Sequence, residues 1–114
     1  MPRDESYLLY MLIAARRVRQ YTEGISRANF SKNPEKLDAV ILQVGNIGEA
    51  ANHVTKTFQQ AHPEIPWAKI IGMRHRVVHG YHEIDLEEVW RIASESVPAL
   101  IQMLEPLVPP EDSL

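Results

Sequence analysis

Apolar residues recur along this chain at spacings of three and four, and no segment alternates convincingly as a strand would. Every periodic stretch therefore points to a helix. The expected fold class is all-α: an antiparallel up-and-down bundle of four main helices, with a turn or one short extra helix over 25–33. The first helix is expected from about Asp4, as its N-cap, to about Thr22. Leu8, Met11, Leu12, Ala15 and Val18 form its stripe, and Gly24 marks its stop. The second opens at Asn33-Pro34, a capping residue followed by proline at the first helical position, and runs to between Val54 and Phe58. Its buried face carries Leu37, Val40, Ile41, Val44, Gly48 and Ala51. Gly45 and Gly48 each cost about 1 kcal/mol of helix stability relative to alanine, which close approach by another helix would offset.

The segment Gln59 to Pro63 reads as a loop. A third helix is expected from Pro66 to Gly80, with Trp67, Ile70, Ile71, Arg74 and Val78 on its apolar stripe and Gly80 as a left-handed C-cap. The fourth opens at Asp85, with Glu88 three residues on as an acidic relative of a capping box. Leu86, Val89, Trp90, Ala93, Val97, Leu100, Ile101 and Leu104 follow on one face, and Pro98 should kink it by removing a backbone donor. At 114 residues the chain suits a single domain, with a core over about 4–106 and a loose tail over 107–114.

Net charge is −3, so nucleic acid could be attracted only by a local basic patch. Arg16, Arg17 and Arg19, with Arg27 and Lys32, form the best candidate. The chain has no cysteine, which removes disulfides, thiol catalysis and thiolate metal sites. No apolar run approaches the roughly 20 residues needed to span a bilayer. Met1-Pro2-Arg3-Asp4-Glu5 lacks the basic-then-apolar pattern of a signal peptide. The expectation is a cytoplasmic protein without a membrane partner.

The chemistry concentrates in Arg74-His75-Arg76-Val77-Val78-His79-Gly80-Tyr81. Arginine is a permanent cation that can hold a phosphate through two parallel hydrogen bonds. Histidine exchanges protons near neutrality. Together they suit cleavage of a phosphodiester. On the expected stripe Arg74 must be paired or face a cleft, and Glu49 is the candidate structural partner. Asn46, Glu49 and His53 share one line of the second helix, either as a solvated face or as a polar seam holding Arg74. His79 is expected in the last helical turn, beside the negative end of the dipole. Five positions turn an ideal helix through about 500°, so Arg74 and His79 meet only if the helix finishes near His79 or two chains pool residues. Tyr81 reads either as packing at the turn or as a phenol beside the site. His75, His79 and His82, with Glu83 and Asp85 nearby, offer a competing metal-binding reading, in which His75 and His79 share a helix face.

The pattern Arg-x4-His-x-Tyr at Arg74, His79 and Tyr81 resembles the signature of HepT-type toxins of the HEPN superfamily. Asn46-Ile47-Gly48-Glu49-Ala50-Ala51, Pro63-Glu64-Ile65-Pro66-Trp67, Ile71-Gly72-Met73-Arg74 and Ile84-Asp85-Leu86 with Val89-Trp90 resemble further segments of the family in the same order, from about Glu5 to about Leu104. His75 departs from the asparagine often found after the arginine, and its supporting role rests on similar hydrogen bonding. The resemblance implies a HEPN-like homodimer with two motifs facing across a cleft, and a ribonuclease needing no metal and no cofactor. In it His79 would be the general acid/base and Arg74 would steady phosphate charge, leaving a 2′,3′-cyclic phosphate. It further implies a toxin–antitoxin pair, with an MntA-type nucleotidyltransferase antitoxin that AMPylates Tyr81. The alternative is a non-catalytic subunit that binds the nucleotidyltransferase or presents a nucleotide to it.

Overall fold

The computed structural model describes residues 3–80 and 83–109. They are almost wholly helical: α1 (Arg3–Thr22), α2 (Arg27–Ser31), α3 (Pro34–His53), α4 (Lys56–Ala61), α5 (Trp67–Ile71), α6 (Met73–Val77), α7 (Leu86–Arg91), a π-helical turn (Ile92–Ser96), α8 (Val97–Leu104) and a 3₁₀ turn (Glu105–Leu107). Among the described residues there is no strand, only an isolated antiparallel bridge between Val78 and Ile84. Among the described residues no helix is long and apolar enough to cross a membrane.

The long helices α1 and α3 run antiparallel and are tied at both ends. Near the start of α1, the Asp4 carboxylate accepts from Thr55 N (2.8 Å) and Thr55 Oγ1 (2.7 Å), just past the end of α3. At the other end Lys36 Nζ donates to the Tyr21 carbonyl at 2.7 Å. Asp4 therefore lies inside α1, not at its cap, and serves the α3–α4 junction instead. Leu8, Met11, Ala15 and Val18 of α1, Val40, Val44, Ile47 and Ala51 of α3, and Val97, Leu100, Ile101 and Leu104 of α8 form one buried core. Full burial of a Val or Ile contributes about 1.5–3 kcal/mol. Val40, Val44 and Ile47 thus outweigh the propensity cost of Gly45 and Gly48, and α3 runs through both unbroken. Its N-cap is Asn33, whose Oδ1 accepts from Lys36 N at 3.1 Å, as the sequence indicated.

The expected loop after α3 is partly helical. Val54 turns the backbone extended, Thr55 caps α4 by accepting from Phe58 N, and α4 covers 56–61. The buried Gln59 explains the element's position: its Nε2 donates to the carbonyls of Ala51 (3.3 Å) and Val54 (3.1 Å) at the end of α3.

The expected third helix is two short helices. Gly72 (φ −90°, ψ 2°) separates α5 from α6, and α6 ends at Val77. Val78 is extended. His79 N donates to Glu83 O (2.8 Å), and Asp85 N donates to Val77 O (2.9 Å). These bonds across the turn replace the helical ones that would have carried α6 to Gly80. Gly80 (φ +108°) accordingly serves that turn and not a helix cap.

Asp85 caps α7 by accepting from Glu88 N at 3.0 Å. The disturbance expected at Pro98 appears one turn earlier, as the π turn, where Val97 N–H bonds five residues back to Ile92 O. A proline ring clashes with the carbonyl four residues before it, and a π turn moves that carbonyl aside. Beyond α8, Leu107 and Val108 are partly buried against the core, so packing continues past 106, where the loose tail was expected to begin.

Candidate active site

The site begins with two glycines on α3. A Cβ on Gly48 would lie 3.1 Å from the carbonyl oxygens of both Ile70 and Ile71, so a side chain here would press the end of α5 away from α3. One turn earlier, a Cβ on Gly45 would lie 3.2 Å from Arg74 Cδ. The close approach expected from these glycines is therefore real, and it positions α6 so that the Arg74 side chain crosses α3 at Gly45.

Arg74 is exposed, whereas Met73 and Val77 form the buried face of α6. The apolar stripe drawn through Arg74 and Val78 is thus corrected. The break at Gly72 resets the register, and the stripe runs through Trp67, Ile70, Met73 and Val77. Arg74 opens onto a groove of about 430 Å³, lined also by Asp38, Ile41, Leu42, Gly45 and Asn46. Asp38, Leu42 and Gly45 follow one line of α3 (i, i+4, i+7), a pattern present in the sequence but only partly used in reading it. Asn46 donates to Gln43 Oε1 at 3.3 Å.

Glu49 does not hold Arg74. Its carboxylate lies 3.7 Å from His53 Nδ1, four residues on along the same helix, and both side chains are substantially exposed. The local (i, i+4) neighbour takes the place of the tertiary one. Asn46 alone of the proposed polar line reaches the groove beside Arg74.

His75 is exposed on α6. His79 is exposed too, but it lies two residues beyond the last residue of α6 and not in its last turn. The shared helix face imagined for His75 and His79 is lost with it, and among the described residues no three potential ligands cluster as a metal site. The residues lining the Arg74 groove do not include His79. Tyr81, the expected modification site, and His82 lie outside the described residues.

Carboxylate pairing sorts the cations. Arg16 meets Glu105 at 3.1 Å, and Arg27 bonds to Glu87. Glu88 is shared by Arg91 (Nε, 3.1 Å) and Arg76 (Nε, 3.3 Å), and its carboxyl is held below the usual range, first by the hydrogen bond from Arg91. Arg17, Arg19 and Arg74 have no carboxylate partner among the described residues. Of the five cations of the expected basic cluster, Arg16 and Arg27 are therefore paired, and Arg17, Arg19 and Lys32 remain.

The family described as ribonuclease HepT-like matches residues 11–107. A candidate RNase of Methanocaldococcus jannaschii is 33% identical over 104 residues, covering 90% of this chain and 95% of that protein. A probable ribonuclease HepT of Thermococcus cleftensis is 30% identical over 103 residues, covering 90% and 94%. A candidate RNase of Caldanaerobacter subterraneus subsp. tengcongensis is 27% identical over 111 residues, covering 97% and 99%. No solved structure matches the chain. With nearly the whole helical core inside the matched span, the chain belongs to the HepT-like ribonuclease family of the HEPN superfamily.

Proposed function

We propose that this protein is a metal-independent RNA endonuclease in which Arg74 and His79 act on the scissile phosphate. The observation that carries the reading is Arg74 itself: a guanidinium on a short helix, laid over Gly45, open to a groove, and in no ion pair with a carboxylate among the described residues. An uncompensated cation beside a cleft is suited to an incoming phosphate. His79, five positions on and exposed, supplies the proton exchange that a phosphate clamp alone lacks.

The chemistry is a transesterification. The ribose 2′-oxygen attacks phosphorus and gives up its proton to an imidazole. The bond from phosphorus to the 5′-oxygen breaks, and that oxygen leaves with a proton. The products are a 2′,3′-cyclic phosphate and a 5′-hydroxyl. Arg74 stabilises the charge that builds on the phosphoryl oxygens. Base and acid are needed on opposite sides of phosphorus, which two His79 side chains would supply if two copies of the chain face each other across a cleft. His75, beside Arg74, is a supporting donor.

The biological setting that fits the family is a toxin held in check by an MntA-type nucleotidyltransferase, which transfers AMP to Tyr81. An AMP group at the mouth of a phosphate site would block it and repel RNA by charge. A second reading, a subunit that holds a nucleotide or partner without chemistry, draws on the same unpaired Arg74, since an anion can be held there and left intact.

The experiment that separates them is incubation of the purified protein with single-stranded RNA in chelator. New ends bearing 2′,3′-cyclic phosphate support the nuclease. Intact RNA, or cutting that requires an added divalent ion, overturns it.

A further inference from the structure

A second groove, of about 340 Å³, lies on the seam of α1 and α3. It is lined by Tyr10, Ile13, Ala14, Arg17, Gln43 and Asn46, and Asn46 also lines the groove beside Arg74. The two grooves meet at Asn46, and each is lined by an arginine without a carboxylate partner among the described residues. The second groove also carries an aromatic ring, Tyr10, that is 55% exposed. Tyr7 supports that ring in a T-shaped contact, with centroids 5.9 Å apart. Among the described residues Asp38 is the one anion lining either groove, so the two grooves together carry net positive charge on a chain whose total is −3.

A single-stranded nucleic acid needs cations spaced along its backbone and an exposed aromatic face for a base to stack on. A protein partner would not need two uncompensated arginines in the groove. We infer that the α1–α3 seam is the substrate track of this protein: Arg17 takes a phosphate remote from the cut, and Tyr10 stacks on an unpaired base in the same groove. The inference rests on the nuclease reading in taking RNA as the ligand. It adds that the RNA is single-stranded and is held by α1, outside the motif.

The test is binding, kept apart from cleavage. A short fluorescent 2′-O-methyl oligoribonucleotide cannot be cut, because its 2′-oxygen carries no proton to lose, and its anisotropy reports affinity for the intact protein. Tyr10→Ala should weaken binding roughly tenfold, and Tyr10→Phe should not, since stacking needs only the ring. Arg17→Gln should weaken it and lower the slope of log affinity against log salt by about 0.7, the value for one phosphate on a single strand. Unchanged affinity in both Tyr10→Ala and Arg17→Gln overturns the track. So does Tyr10→Ala dissociating the assembly in light scattering with affinity intact, which would make the seam an interface between copies. Cleavage of the matched unmodified RNA, run in parallel, reports on the nuclease reading separately: a parent that binds through Tyr10 and Arg17 yet never cuts keeps the track and loses the nuclease.

Discussion

Gly45 and Arg74 meet so closely that a side chain on residue 45 would press on the arginine stem, with 3.2 Å between the position of a Cβ on Gly45 and Arg74 Cδ. The glycine gives the guanidinium a fixed path across α3, and its neighbour is the flexible stem of one side chain. Gly45→Ala should therefore leave the fold intact, or raise stability by up to about 1 kcal/mol through helix propensity. RNA cleavage should fall on the order of tenfold because the guanidinium is displaced. Urea melts and initial rates on one preparation check both halves. Unchanged rates would mean that the path of Arg74 does not matter to the chemistry.

Gly48 faces backbone, and the outcome should differ. The carbonyl oxygens of Ile70 and Ile71 cannot swing away as a side chain can. Gly48→Ala should destabilise the protein by about 1–3 kcal/mol, the usual cost of overpacking. The measurement is the urea midpoint, and a midpoint equal to the parent's would contradict the rigid α3–α5 approach.

Glu88 links α6 to α7 through Arg76 and Arg91, and its carboxyl titrates below its ordinary value of 4.5. A carboxylate whose folded pKa is depressed stabilises the protein above its unfolded value, and that contribution is lost as pH falls through the folded value. The parent should lose stability steadily as pH drops below 4.5, and Glu88→Gln should lose less over the same window. Parallel stability curves for the two proteins would show that the Arg91–Glu88–Arg76 link contributes nothing.

Tyr81 carries the proposed control. Tyr81→Phe should remain toxic to cells and accept no AMP from the cognate nucleotidyltransferase, as read by the intact mass of the protein. A mass increase of one AMP on the phenylalanine variant would place the modification elsewhere.

Much of this fold was legible because local signals agree with the packing they serve. Asn33-Pro34 caps α3, Asp85 with Glu88 opens α7, and Val40, Val44 and Ala51 lie on the buried face that their spacing gives them. What escaped depends on contacts distant in sequence. Nothing local marks Gln59 as the donor that closes the end of α3, so α4 looked like loop. The end of α6 at Val77 is decided by bonds to Glu83 and Asp85 across a turn, while Gly80 looked like an ordinary cap. The same was true of the site. Gly45 and Gly48 announced a close approach, and Arg74 announced a phosphate. That Glu49 would turn to His53 and leave Arg74 uncompensated follows from the register of α6 after Gly72, which the stripe did not contain.

The account stands or falls on His79. The direct measurement is the rate at which purified protein cleaves single-stranded RNA, compared between the parent and His79→Ala at matched helical content and urea midpoint. Because His79 is exposed and lies beyond α6, its removal should leave the fold unchanged while the cleavage rate falls by at least 100-fold. A His79→Ala protein that cuts RNA as fast as its parent would contradict the account.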